Sequence, residues 1–271
     1  MTSTLAYTIG DSATMLRRNL RRLRRYPSLT LLLVGMPIVF LLLLVYVFGG
    51  QLGHGLGASA AGHTGRAAYL DYVTPGILLM TIAAAVQGTA IVVAMDMTGG
   101  IIDRFRTMAI ARSAVLTGHV LASLIQAMLS ILIVLCVAVA LGFRPEAGAL
   151  DWLASIGLLT LFAFALVWLA TALGLAAKSV ETASNTPMFL TLLPFLGSGF
   201  VLLATLPVGL EQFARYQPFT PVTETLRGLL TGTPVGGVNA VAAVAWSAGI
   251  ALAGYVWARH LYARPSPRSA T

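Results

Sequence analysis

Few residues in this chain could carry out catalysis, and their spacing does not match a familiar active site. Lys178 is followed by Ser179, the last pair of a phosphate-binding loop, but Ala177 stands where that loop requires glycine. We therefore expect no ATP hydrolysis by the chain itself. The single cysteine, Cys136, lies in an apolar run, and the histidines lack metal-ligand spacing, so neither a metal nor a bound cofactor is expected.

The composition indicates lipid as the solvent. Hydrophobic residues make up 58% of the chain and charged residues only 10%, whereas soluble domains carry about 25% charged residues. The net charge of +8 could suggest nucleic acid as a partner, but six arginines are concentrated within residues 17–25, just before the first apolar run. Positive charge at that place anchors a first membrane span on its cytoplasmic side, so no nucleic-acid partner is expected.

The apolar runs predict an all-α polytopic membrane protein with six transmembrane helices. A cytoplasmic N-terminal segment, residues 1–27, contains an amphipathic interfacial helix over 4–25, where apolar residues recur every three or four positions. The transmembrane domain covers 28–258, and 259–271 form a cytoplasmic tail. The predicted spans are 28–48, 76–98, 116–141, 152–177, 185–206 and 238–258, with 49–65 expected to be a flexible glycine-rich loop.

The basic residues predict the orientation. With the amino terminus inside, inner segments hold 13 of the 17 lysines and arginines and outer loops hold 4. This distribution places both termini in the cytoplasm of a bacterial cell, with the chain crossing the inner membrane. The spans carry no charge near their centres, which disfavours a proton-coupled secondary transporter. Asp96 and Glu181 are expected near inner span ends, where they can reach water.

Three polar features remain that could serve function. The inner loop at 100–113 mixes charges with Phe105 and Met108, as a helix that docks on a protein partner would. The segment 207–232 holds Glu224 and Arg227 among prolines and is too polar to span. Gln87 and Thr191 are candidates for lining a pathway, although polar residues in spans more often bond between helices.

Three motifs in order give the chain a resemblance to a known family. They are Gly-Ile-Ile-Asp-Arg-Phe-Arg-Thr-Met with Ala-Arg-Ser-Ala-Val-Leu in 100–116, Gln-Pro-Phe-Thr-Pro-Val-Thr-Glu-Thr-Leu-Arg-Gly at 217–228, and Tyr-Val-Phe-Gly-Gly at 46–50. Together they resemble ABC-2 permeases, especially the daunorubicin-resistance exporter group. One departure is His119, which stands where arginine is common in the family.

The resemblance implies a drug-efflux or antibiotic-resistance machine: two copies of this chain forming one pathway, powered by a separate ATPase subunit that binds the ATP. It implies hydrophobic or amphipathic cargo such as drugs or lipids. Polysaccharide or glycolipid export is the alternative. The implied ATPase-coupling residues are Gly100, Asp103, Arg104, Phe105, Arg106, Met108 and Arg112. The implied extracellular gate segment includes Pro218, Pro221, Glu224 and Arg227, in helices that cap the exit.

Overall fold

The computed structural model describes residues 27–56, 62–99 and 112–263, with side chains over 33–56, 62–99 and 116–262. Throughout these ranges the regular structure is helical and no strand occurs, which confirms the predicted fold class. The predicted interfacial helix at 4–25 and the tail beyond 263 lie outside the described residues.

Ten α-helices lie in the described part of the chain. α1 (Pro27–Leu43) continues through a π-helical turn (Leu44–Phe48) into α2 (Gly49–Leu56). They are followed by α3 (Arg66–Thr98), α4 (Arg112–Ala140), α5 (Ala149–Ala176), α6 (Val180–Asn185), α7 (Met188–Leu192), α8 (Val208–Tyr216), α9 (Phe219–Thr231) and α10 (Gly237–Ala263). Short 3₁₀ turns occupy Leu193–Leu196 and Leu203–Thr205.

Five helical stretches within the described residues are long and apolar enough to cross a membrane. They are Leu33–Leu56, Arg66–Thr98, Leu116–Ala140, Ala149–Ala176 and Gly237–Tyr262. The predicted fifth span, 185–206, is instead broken into short pieces, because Pro187 and Pro194 cannot donate backbone hydrogen bonds. We call residues 180–206 the broken segment. The count of six spans therefore stays a prediction.

Two boundaries differ from the sequence prediction. α3 begins at Arg66 rather than 76, because the chain remains helical through Pro75. The predicted flexible loop at 49–65 is wrong over its first half, where α2 forms. A Cβ atom on Gly53 would lie 1.9 Å from the carbonyl oxygen of Gly65. The glycine there permits a close backbone approach, and so it orders the segment rather than loosening it.

α3 is the central helix, and the broken segment runs antiparallel to it. The Gln87 side chain donates to the backbone oxygen of Ser184 at 3.0 Å. Further along, the backbones of Gly76 and Gly199 touch, since a Cβ on either would meet the other's Cα at 2.8 Å. The eleven residue steps from Gly76 to Gln87 correspond to about 16 Å of helix. The broken segment thus returns the chain along α3 from the Thr98 end of the bundle.

We expect Gly76→Ala to destabilise the protein by about 1–3 kcal/mol, because the added methyl group must displace the Gly199 backbone rather than a side chain. Thermal unfolding in detergent, followed by the loss of monodisperse protein, measures the effect. The matched control is Gly157→Ala in α5, at an exposed position where a Cβ meets nothing within 4 Å. Equal unfolding temperatures for the two variants would show that the Gly76–Gly199 contact is absent.

α9 penetrates to the middle of the bundle. Its first residue, Phe219, packs edge-on against Phe162 with ring centroids 5.1 Å apart, and Phe162 lies at the midpoint of α5. At its other end the Leu230 oxygen accepts a hydrogen bond from the Glu146 amide at 2.9 Å, in the loop before α5. Thirteen helical residues span about 20 Å. α9 therefore runs from mid-depth of a candidate membrane span to that span's end.

Candidate functional site: the Arg227 junction

The sequence of α9 suits a short helix that is buried on nearly every side. Pro218 precedes the helix and Pro221 lies in its first turn, where a missing amide hydrogen costs nothing. The hydroxyl groups of Thr223, Thr225 and Thr231 each donate to the carbonyl four residues earlier at 2.8 Å. Their polar atoms are thereby satisfied inside apolar surroundings. Gly232 then ends the helix in the left-handed conformation.

Arg227 joins three parts of the fold. One guanidinium nitrogen, Nη1, donates to Glu224 Oε1 at 2.7 Å on the same helix. The other, Nη2, donates to the Tyr72 oxygen of α3 at 3.1 Å and to the Ser198 oxygen of the broken segment at 2.6 Å. We call Tyr72, Ser198, Glu224 and Arg227 the Arg227 junction. It ties α9 to the central helix, α3, and to the broken segment.

The guanidinium group of Arg227 also contacts an aromatic ring. Its carbon lies 4.2 Å from the centre of the Tyr72 ring, within the range of a cation–π contact. The Arg227 side chain is 16% exposed and the Glu224 side chain 33%. Arginine suits this position because its planar fork can bond several acceptors at once, which the single ammonium of lysine cannot do.

A second set of hydrogen bonds joins the broken segment to the turn between α8 and α9. Gln217 Nε2 donates to the Leu193 oxygen at 2.9 Å. Thr220 Oγ1 donates to the Ala214 oxygen and accepts from the Ser198 amide at 3.4 Å. The Gly197 backbone is so close that an added Cβ would lie 2.8 Å from Gln217 Nε2. Of the predicted gate residues, Arg227 bonds the broken segment directly. Pro218, Pro221 and Glu224 lie at the start of α9 or within it, beside Gln217 and Thr220, which also bond that segment.

The two predicted pathway residues do not form a common site. Gln87 is bonded to the Ser184 oxygen, so it connects α3 with α6. Thr191 donates to the Met188 oxygen of its own short helix at 2.7 Å. Both side chains are half-buried. Helix bonding, the alternative weighed from the sequence, accounts for each of these contacts.

A buried contact between an aspartate and a histidine lies at the opposite end of the bundle. His119 Nε2 of α4 is 3.2 Å from Asp96 Oδ2 of α3, with side-chain exposures of 6% and 2%. The expectation that Asp96 reaches water is therefore wrong, since helix packing encloses it, whereas Glu181 is exposed as expected. Around the pair, apolar residues of α3, α4, α5 and α10 form a separate buried cluster that includes Val93, Leu116 and Trp168.

The predicted coupling residues cannot be compared with the fold. Gly100, Asp103, Arg104, Phe105, Arg106 and Met108 lie outside the described residues, and of Arg112 only the backbone, at the start of α4, is described. The Asp96–His119 pair lies close to both ends of this loop along the chain. It therefore holds together the two helices, α3 and α4, that the loop connects.

Comparison with known proteins places the chain among transporters. The family model described as ABC-2 type transporter matches residues 12–231. The chain belongs to the ABC-2 type transporter family. The match includes the broken segment, α8 and α9, and it ends where α9 ends. This ABC-2 permease is a multi-pass membrane protein, and its family supplies the membrane subunit of ABC transporters. Membership implies a partner ABC ATPase subunit.

Relatives of the permease carry names linked to drug resistance. It is 27% identical over 229 residues to the daunorubicin resistance ABC transporter permease protein DrrB1 of Streptomyces coeruleorubidus, covering 84% of this chain and 77% of the relative. It is 25% identical to the probable doxorubicin resistance ABC transporter permease protein DrrC of Mycobacterium tuberculosis, covering 64% of this chain and 63% of that protein. The permease is therefore homologous to drug-resistance exporter permeases.

Sequence reasoning missed several residues of the two polar sites. Arg227 and Glu224 stood out as charged residues in an apolar part of the sequence. Tyr72 and Ser198 contribute backbone oxygens, and because every residue has one, residue type does not identify the acceptor. His119 was noted only as a departure from the family pattern. The sequence did contain a signal for the Asp96–His119 pair, because an acid and a histidine stand at facing ends of two successive apolar runs.

Proposed function

We propose that the permease is the membrane subunit of an ATP-driven exporter, working as a homodimer with a separate ATPase on its cytoplasmic side. The observation that supports this most directly is the match of an ABC-2 type transporter model to residues 12–231. The proposed cargo is a hydrophobic or amphipathic small molecule, such as a drug or a lipid. The names of the relatives point to this class, and the extensive apolar surface of the spanning helices is compatible with it.

The proposed orientation puts the Thr98 end of the bundle in the cytoplasm and the Glu146 end outside. The arginines of 17–25 and of the 100–111 loop are then inside, as the positive-inside rule requires. In this orientation α9 enters from the outer side, and the Arg227 junction lies in the outer half of the membrane. The inner pair of Asp96 and His119 lies near the proposed ATPase.

A homodimer is supported by a surface that the monomer leaves open. Ala245, Gly249 and Ala253 of α10 are exposed, and a Cβ on Gly249 meets nothing within 4 Å. α10 packs against α5 through another face, at Gly254, where an added Cβ would come within 2.8 Å of the Trp168 backbone. Small residues at four-residue spacing let helices of two copies approach closely.

In the proposed mechanism the loop at 100–113 transmits the ATPase motion and the Arg227 junction holds the exit closed. Motion of α3 and α4 reaches the junction through Tyr72, which belongs to the same helix as Asp96.

The proposed cargo molecules include positively charged ones, since the acidic side chain of Glu181 is exposed at the proposed inner end. Export of a polysaccharide or glycolipid is the competing activity within the same family, and a proton-driven secondary transporter is the alternative outside it.

The test is to express the permease with its ATPase and measure both binding and drug export. We expect Phe105→Ala, Arg104→Glu and Arg106→Glu each to weaken ATPase binding in a pull-down and to abolish export, with membrane abundance unchanged. Partly buried anchors at an interface contribute about 2 kcal/mol or more, which corresponds to at least tenfold weaker binding. Asp103→Asn should be mild if Asp103 stabilises the start of a loop helix.

The matched control for the loop is Arg259→Glu, a charge reversal at an exposed position of α10, near the same proposed face. It should leave both binding and export unchanged. If all loop variants bind and export as the wild type does, the loop is not the coupling site. If the wild-type pair shifts tolerance to no lipophilic drug while its loss alters surface glycan, the alternative substrate class replaces the proposed one.

A further inference from the structure

Three polar side-chain atoms in the joint between the broken segment and α9 have no hydrogen-bond partner among the described residues. They are Ser198 Oγ, Gln217 Oε1 and Arg227 Nε, and each is buried from solvent. A buried polar atom that stays unpaired costs about 1–3 kcal/mol. Three such atoms at one joint therefore require a common explanation.

The three atoms belong to one compact region. The Ser198 oxygen is 2.6 Å from Arg227 Nη2, and the Ser198 amide is 3.4 Å from Thr220 Oγ1. A Cβ on the preceding Gly197 would lie 2.8 Å from Gln217 Nε2. The backbone at 197–198 thus contacts the side chains of Gln217, Thr220 and Arg227, and two of these side chains carry an unpaired atom.

The chemistry of the atoms restricts what can bind them. Arg227 Nε only donates, Gln217 Oε1 only accepts, and the Ser198 hydroxyl does both. An anion could pair with the arginine but not with the amide oxygen, and a cation would be repelled by the guanidinium. Water donates and accepts, so a small cluster of water molecules satisfies all three groups.

A route for water follows the exposure of the side chains. Glu224 is 33% exposed, its partner Arg227 is 16% exposed, and Ser198, bonded to Arg227, is 3% exposed. Exposure thus falls stepwise from the carboxylate towards the joint. A carboxylate facing hydrocarbon is costly, so the exposed side of Glu224 faces an aqueous space.

We infer that the joint of Ser198, Gln217 and Arg227 is an aqueous crevice that enters the bundle beside α9 and binds ordered water. Its placement on the outer side and its part in opening the exit rest on the proposed function, whereas the presence of water does not. The crevice gives the joint polar partners that exchange easily, so the broken segment and α9 can separate without leaving their polar groups unpaired. It makes this joint the place where the exit opens.

Thiol labelling of the full-length permease, with and without its ATPase, tests the crevice. Exposed Cys136 is first replaced by alanine, and Ser198→Cys and Gln217→Cys are then reacted with the charged, membrane-impermeant reagent 2-sulfonatoethyl methanethiosulfonate. The dry control is Ser247→Cys, because Ser247 is also a fully buried serine but its hydroxyl is bonded to the Ala243 oxygen at 2.7 Å. The reference for a thiol in contact with water is Arg215→Cys, because the Arg215 side chain is 60% exposed.

We expect Ser198→Cys and Gln217→Cys to react at least about 100-fold faster than Ser247→Cys, since the reactive thiolate forms only where water solvates it. Both should react when the reagent is added from outside. Labelling of both at the slow rate of Ser247→Cys overturns the crevice. Labelling from the cytoplasmic side alone keeps the crevice and contradicts the proposed orientation. Labelling does not depend on export, so a permease that labels as expected but moves no drug contradicts only the proposed function.

Discussion

Arg227→Ala is expected to destabilise the permease by about 3 kcal/mol and to abolish export. The change removes the bonds from one guanidinium group to α3, to the broken segment and to Glu224. Losing this cation costs more than losing a surface pair, because the Tyr72 and Ser198 carbonyl oxygens that it bonds lie inside the fold. Thermal unfolding in detergent should show a fall of about 6–12 °C. Arg227→Lys should be intermediate, since an ammonium cannot serve the same acceptors together.

The control for Arg227→Ala is Arg215→Ala in α8. Arg215 also pairs with a glutamate of its own helix, Glu211 at 2.6 Å, but its side chain is 60% exposed. Exposed pairs contribute about 0.2–1 kcal/mol, so this variant should unfold close to the wild-type temperature and export normally. Equal effects of the two substitutions would mean that Arg227 does not join the three elements.

His119→Leu is expected to destabilise the Thr98 end of the bundle by about 2–3 kcal/mol and to reduce export per ATP hydrolysed. The substitution removes the imidazole 3.2 Å from the Asp96 carboxylate, which is only 2% exposed, and desolvation of that carboxylate is then less well compensated. Asp96→Asn should be milder, because an amide can still bond the imidazole. Unfolding temperature and the ratio of drug transport to ATP turnover are the two measurements.

The transport ratio separates a local effect on coupling from a general loss of protein. If the Asp96–His119 pair holds α3 and α4 together where the loop joins them, the folded His119→Leu protein should still stimulate ATP turnover but export less. His54→Leu, at an exposed position of α2, is the control and should change neither quantity. An unchanged transport ratio in folded His119→Leu protein would restrict the pair to a stabilising role.

Local patterns were enough to predict the class of fold. Long apolar runs without central charge predict helices in lipid, because each run must satisfy its own backbone hydrogen bonds there. The predicted span at 185–206 shows where this reasoning stops. Its apolar composition suggested a spanning helix, but Pro187, Pro194 and the glycine contacts with α3 favour short helical pieces. The composition of a segment indicates whether lipid or water surrounds it, whereas its backbone conformation depends on the elements that it packs against.

The sequence by itself determined that this protein is helical, that it lies in a membrane, and that Arg227 and Glu224 are unusual in their setting. Only the tertiary structure decided what these charges contact. The Arg227 guanidinium meets a carbonyl 155 residues earlier in α3 and another 29 residues earlier in the broken segment. Every residue carries such a carbonyl, so no residue type marks the partner in advance. Asp96 likewise looked accessible until the packing of α4 placed His119 beside it, because burial is a property of neighbouring helices and not of one helix.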